Sequence, residues 1–151
     1  MPAEPSHLTS HLGYWLRYVS NSVSHAFARK LEDRDVTVAE WALLRELYSA
    51  EAIAPSRLAE QMGLTRGAVT KLADRLIAKA LVVREANPDD ARAQILAITP
   101  AGRALIPELA TLADRNDAEF FGHLTAEDRL RLEHTLRDIV TRRGLTAMPL
   151  S

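Results

Sequence analysis

Apolar residues recur along this chain at three- and four-residue steps far more often than in strict alternation, so the reading is dominated by helices. Leu8, Leu12, Leu16, Val19, Val23 and Phe27 trace one long amphipathic helix ending near Leu31, where Glu32-Asp33-Arg34-Asp35 breaks the pattern. Thr37-Val38-Ala39-Glu40 has the form of a capping box, in which the Thr37 hydroxyl accepts from a backbone N–H while Glu40 reaches back. The helix it opens carries Trp41, Leu43, Leu44 and Leu47. Pro55 suits the first turn of a short helix, where a missing N–H leaves nothing unpaired, and that helix stops at Gly63 after Leu58, Ala59 and Met62. Thr65 is placed to cap the next helix, which runs to about Lys79.

The period then changes. Residues 81–85 and 94–98 are β-rich, and Asn87-Pro88-Asp89-Asp90 between them is a turn by composition. Thr99-Pro100 opens another helix, and Thr125-Ala126-Glu127-Asp128 caps a last one with Leu132, Leu136, Ile139 and Val140 as its stripe. The fold class is therefore mainly α with a small β-wing. A winged helix-turn-helix lobe at residues 36–98 is flanked by dimerisation helices at 1–35 and 99–151, the whole forming one intertwined domain. Each outer helix has an apolar stripe that needs a partner; packing them together and against a second copy satisfies both.

Composition narrows the function. The chain of 151 residues is 47% hydrophobic with mixed-sign charge, a globular balance, and it holds no apolar run near the roughly 20 residues of a membrane span. Its first residues lack the basic start and apolar stretch of a secretory signal. With no cysteine, disulfides, thiolate metal sites and thiol redox sensing are all excluded. A cytoplasmic location is expected. His7 and His11 are four apart, a spacing that suits zinc, yet the other histidines are scattered, so no metal or cofactor is expected. No nucleotide-binding, zinc-protease or nucleophile-elbow motif is present, and no catalysis is expected.

A net charge of −1 does not announce a nucleic-acid binder, but its distribution matters more than its total. In projection the helix from Thr65 to Lys79 puts Val69, Leu72, Ala73 and Leu76 towards a core, with Arg66, Gly67, Thr70, Lys71 and Asp74 opposite. Arg66, Lys71, Arg75 and Lys79 face only Asp74 as a counter-charge. A recognition helix meets base edges with such an N-terminal half: Arg66 suits a guanine, Thr70 a thymine methyl or a phosphate, and Gly67 a close backbone approach. At the hairpin tip, Asp90-Ala91-Arg92 offers an arginine to the minor groove, with Asp90 able to orient the guanidinium or pin the wing.

The segment from Leu58 to Gly102 resembles the MarR family (multiple-antibiotic-resistance regulators). That family combines a helix-turn-helix, a D-x-R wing and an L-T-x-x-G turn, which stands here as Ile98-Thr99-Pro100-Ala101-Gly102. The resemblance implies a homodimer built from N- and C-terminal helices, usually a repressor, bound to an inverted repeat of double-stranded DNA. It also implies that Arg92 is the minor-groove arginine and that Arg66, Thr70 and Lys71 lie at base-reading positions. Ala80 departs from the family, which usually has glycine there, leaving it either to adopt a left-handed conformation or to end the helix differently. Many members release DNA on binding a small aromatic effector. His11, Trp15, Tyr18 and Ser22 along the first helix, with Trp41 and Arg45 on the second, are the expected ligand-binding residues, although the same rings suit a dimer interface. The rival reading is a winged-helix protein-interaction module that has lost DNA binding; retention of Arg66, Lys71 and Arg92 argues against it.

Overall fold

The computed structural model describes residues 3–146; residues 1–2 and 147–151, the outer ends of the two expected dimerisation segments, lie outside the described residues. A 3-10 turn (Leu8–Ser10) precedes α1 (Leu12–Glu32), followed by α2 (Val38–Ala50), β1 (Ala52–Ile53), α3 (Pro55–Met62) and α4 (Arg66–Ala78). The hairpin β2 (Val82–Asn87) and β3 (Asp90–Ile98) leads into α5 (Pro100–Phe121) and α6 (Ala126–Arg143). The order of six helices around one hairpin is that expected, and the four threonine caps lie where the sequence places them. Thr37 and Glu40 close their box at 3.1 and 3.0 Å, and Thr65, Thr99 and Thr125 each accept from a backbone N–H three residues on.

Two features differ from expectation. The first helix does not begin at Leu8, because His11 is extended and separates the 3-10 turn from α1. The Trp15 indole N–H donates to the Thr9 carbonyl at 2.8 Å and folds that turn back over the helix start. His7 and His11 therefore do not share a helical face. The second is β1, which pairs antiparallel with β3 through Ala52↔Ala97 and Ile53↔Leu96, giving the sheet order β1-β3-β2. Two residues are too few for a period to show; β1 forms because the chain leaving α2 passes the open edge of β3.

The core lies inside the lobe. Leu43, Leu44 and Leu47 of α2, Leu58 and Met62 of α3, Val69, Leu72 and Leu76 of α4, and Leu96 of β3 bury one another, closed by Leu31, Ile106 and Leu109. Outside it, α1 rests on α5. Buried Asn116 donates to the Val23 carbonyl at 3.1 Å and accepts from Lys30 Nζ at 3.0 Å. By contrast, α6 buries no residue, and α1 buries only Leu31. No described helix is long and apolar enough to cross a membrane.

Candidate nucleic-acid interface

Four buried side chains, Val69, Leu72, Ala73 and Leu76, hold α4 against the lobe and turn Arg66, Gly67, Thr70, Lys71 and Arg75 outward. Thr65, the N-cap, is exposed beside them. The Thr70 hydroxyl donates to the Arg66 carbonyl at 2.9 Å, leaving its lone pairs and methyl for a partner. Asp74, the one acid on α4, is held in an ion pair by Arg84 of β2. Among the described residues, Arg66, Lys71, Arg75 and Arg92 take part in no ion pair. A Cβ added at Gly67 would meet nothing nearer than Thr65 Oγ1 at 4.0 Å, so the fold itself does not require glycine there.

The wing is sharper than its composition suggested. Its ladder runs regularly from Val82↔Ile98 to Ala86↔Gln94, then slips, with Asn87 opposite Asp90. Residues 91–93 are thus extra on β3, a bulge of the kind that re-aims a side chain, and exposed Arg92 stands in it. Asp90 Oδ1 accepts from the Arg92 backbone N–H at 3.0 Å, and Asn87 Oδ1 from that of Asp89 at 2.9 Å. Asp90 therefore shapes the wing backbone and does not orient the guanidinium.

The elbow between α4 and the wing is where distant segments meet. Ala80 takes the left-handed conformation, with φ 60°. Its N–H bonds to the Ile77 carbonyl at 2.9 Å and that of Leu81 to the Leu76 carbonyl at 3.0 Å, a Schellman ending with alanine in the usual glycine position. Thr99 caps α5 through Gly102 N at 3.0 Å and donates its hydroxyl to the Ala80 carbonyl at 2.8 Å. A Cβ on Gly102 would lie 2.3 Å from the Leu81 carbonyl oxygen, which explains glycine at the end of the Thr99–Gly102 turn. Lys79 does not join the basic face of α4. Its ammonium lies 3.2 and 3.0 Å from the two carboxylate oxygens of Glu40 and donates to the Asp35 carbonyl.

This lobe, with a basic helix and an adjoining wing, has known counterparts. A family model described as MarR family matches residues 34–93. The multiple antibiotic resistance protein MarR of Escherichia coli K12 is 28% identical over 130 residues, covering 85% of this chain and 90% of the relative. The transcriptional repressor MdtR of Bacillus subtilis is 28% identical over 127 residues, covering 84% and 82%. A cysteine-to-serine mutant of Escherichia coli MarR complexed with operator DNA superposes with a TM-score of 0.78 at 28% identity, covering 85% of this chain and 93% of that one. The match to the MarR family is thus direct over residues 34–93, and over 85% of its length the chain is similar to MarR itself. Bordetella bronchiseptica BpsR, whose DNA binding is regulated by 6-hydroxynicotinic acid, gives 0.80 at 25% identity and covers 90% and 97%.

Within this MarR-like protomer the expected ligand-binding residues fall into separate groups. Trp15 and Tyr18 are exposed and meet Tyr14 edge-on, with ring centroids 5.1 and 6.2 Å apart. Trp41 packs edge-on against Phe27 at 6.4 Å, nine residues beyond Tyr18 and so about 14 Å along α1. Half-buried Ser22 lies between them, while His11 precedes the helix. Arg45 turns to the Tyr48 ring at 5.5 Å and donates to Ser49 at 2.7 Å; Arg103 reaches the same ring at 4.9 Å. Neither the pairing of Arg84 with Asp74 nor the bond from Thr99 to Ala80 carries a local signal, since each joins residues ten or more positions apart.

Proposed function

We propose that this chain is a homodimeric, sequence-specific DNA-binding repressor that enters the major groove with α4 and the flanking minor groove with the wing. Arg66, Thr70 and Lys71 meet base edges, Gly67 lets the backbone approach, Arg75 lies over phosphate, and Arg92 inserts where the minor groove is narrow. One observation carries the reading. The exposed face of α4 keeps three basic side chains outside any described ion pair while Arg84 neutralises its single acid, in a chain of net charge −1. The local field is thus positive where the total is not, the footprint of a surface for polyanions. The operator complex of the 28% identical MarR supports the same docking.

The dimer follows from what the protomer leaves uncovered. Leu12, Leu16 and Val19 on α1 and Leu130, Leu132, Leu136, Ile139 and Val140 on α6 are exposed, too continuous a set for a monomer. A shallow groove of about 210 Å³ between α5 and α6, lined by Phe121, Leu124, Leu132 and Leu136 among others, offers a seat for the partner's helix. A small aromatic effector is proposed to bind where the dimer covers Trp15 and Tyr18 and faces Trp41. The regulation of BpsR by 6-hydroxynicotinic acid supports that class of ligand.

The deciding experiment is recovery of sheared DNA from the source organism by the purified protein at near-physiological salt, followed by sequencing. An enriched inverted repeat with half-sites about 10–10.5 bp apart is expected. A folded dimer that enriches nothing overturns the proposal.

A further inference from the structure

The face of α4 that reads DNA is not the only part of that helix with a charged partner. Glu40 is 1% exposed, the most deeply buried ionisable group described, and the proposed DNA contacts make no use of it. Its Oε1 closes the capping box with Thr37, and its two oxygens share the Lys79 ammonium at 3.2 and 3.0 Å. Oε2 has no described partner except that charge. Lys79 is the C-cap of α4, and it also donates to the carbonyl of Asp35, a residue of positive φ in the turn before α2. The C-terminal end of α4 is thereby tied at two points to the N-terminal end of α2, 39 and 44 residues away.

We propose that Lys79 and Glu40 are positioning residues that set the angle at which α4 is presented to DNA, without touching DNA themselves. The apolar contacts under α4 are non-directional and permit small rotations, whereas a hydrogen-bonded ion pair at low exposure admits one arrangement. The geometry amplifies any error. The thirteen residues of α4 span about 20 Å, so a pivot of about 5° at Lys79 displaces Arg66 by roughly 1.7 Å. Base-edge hydrogen bonds tolerate only about half an ångström, while phosphate attraction tolerates far more. The brace therefore acts on specificity and leaves non-specific attraction intact.

This inference rests on the DNA-binding reading, and one set of titrations separates the two. Lys79→Met, Lys79→Arg and Glu40→Gln are compared with the wild-type dimer for Kd on the recovered inverted repeat and on an unrelated duplex, across a salt series. Thermal melting of each monitors the fold. Glu40→Gln keeps an oxygen for Thr37, and Lys79→Arg keeps the charge. Lys79→Met and Glu40→Gln are expected to lower the operator-to-unrelated ratio about tenfold, the discrimination of one good base contact, with the salt slope unchanged and Lys79→Arg largely restoring it. A slope reduced by about one for Lys79→Met, with both DNAs weakened alike, makes Lys79 a phosphate contact and overturns the proposal. An unchanged ratio with only a lower Tm overturns it as well, leaving the pair a stability device. Failure of the wild type to prefer the repeat overturns the DNA-binding reading, and this inference with it.

Discussion

Arg66 and Arg92 stand on different elements, and their substitution should fail in different ways. On the proposed docking Arg66→Ala removes a major-groove contact, so the preference at one base pair per half-site should relax by about 1–3 kcal/mol. On the same docking Arg92→Ala removes a cation from the minor groove, and discrimination should instead be lost in the A·T-rich flanks. Base-by-base competition binding distinguishes them; mutants that match wild type at every position would remove both residues from the interface. Ala80 makes a prediction of the opposite sign. At φ 60° an alanine is strained, so Ala80→Gly should stabilise the fold by about 1 kcal/mol, or roughly 2–4 °C in Tm for a chain of this size. Melting at one protein concentration checks this, and a lower Tm would mean that the elbow does not hold the left-handed conformation. The residues Arg66, Gly67, Thr70, Lys71, Arg75 and Arg92 were legible in sequence because their exposure follows from the positions of Val69, Leu72, Ala73 and Leu76 and from the turn ahead of β3. The placement of Asp90 was not, because an acid two residues from an arginine has both its guanidinium and its backbone within reach.

Between elements, the junction of α2 with α4 depends on the ionisation of Glu40. Burial pushes this carboxyl up, but hydrogen bonds from the Thr37 backbone and from Lys79 outweigh it and hold the group below its usual range. A carboxyl whose folded pKa is depressed contributes stability that is complete above the ordinary glutamate range and fades as pH falls through the folded value. The stability gap between wild type and Glu40→Gln should therefore be widest near neutral pH and shrink as pH falls below the ordinary glutamate range. Urea unfolding at stepped pH measures it, and a constant gap would show that the carboxylate charge contributes nothing. The Thr37–Glu40 half of this junction was legible, since a capping box closes within three residues. Its Lys79 half was not: the same lysine read as one more basic group on α4 until packing brought α2 beneath its end.

The uncovered faces of α1 and α6 set behaviour at the level of the whole molecule. Leu136 lies near the middle of the α6 stripe at 41% exposure, so Leu136→Asp should disturb the protomer little and the dimer severely. Sedimentation is expected to show a monomer with unchanged helicity, and operator affinity should fall about a hundredfold or more as the two half-sites cease to be bound together. A dimer that persists would place the interface elsewhere. The effector residues proposed on α1 and α2 also belong to this scale. Trp15 and Tyr18 lie about 18 and about 14 Å along α1 from the Phe27–Trp41 contact, so one protomer does not gather them.

Caps, helix periods, the hairpin turn and the buried face of α4 were determined by the sequence alone, because each rests on interactions spanning no more than about four residues or one helical repeat. Tertiary structure alone decided the Lys79–Glu40 brace, the Asp74–Arg84 pair, the strand β1 and the close approach of Gly102 to Leu81. These join residues many positions apart, and long flexible side chains or an open strand edge acquire a partner only after packing has set which elements are neighbours.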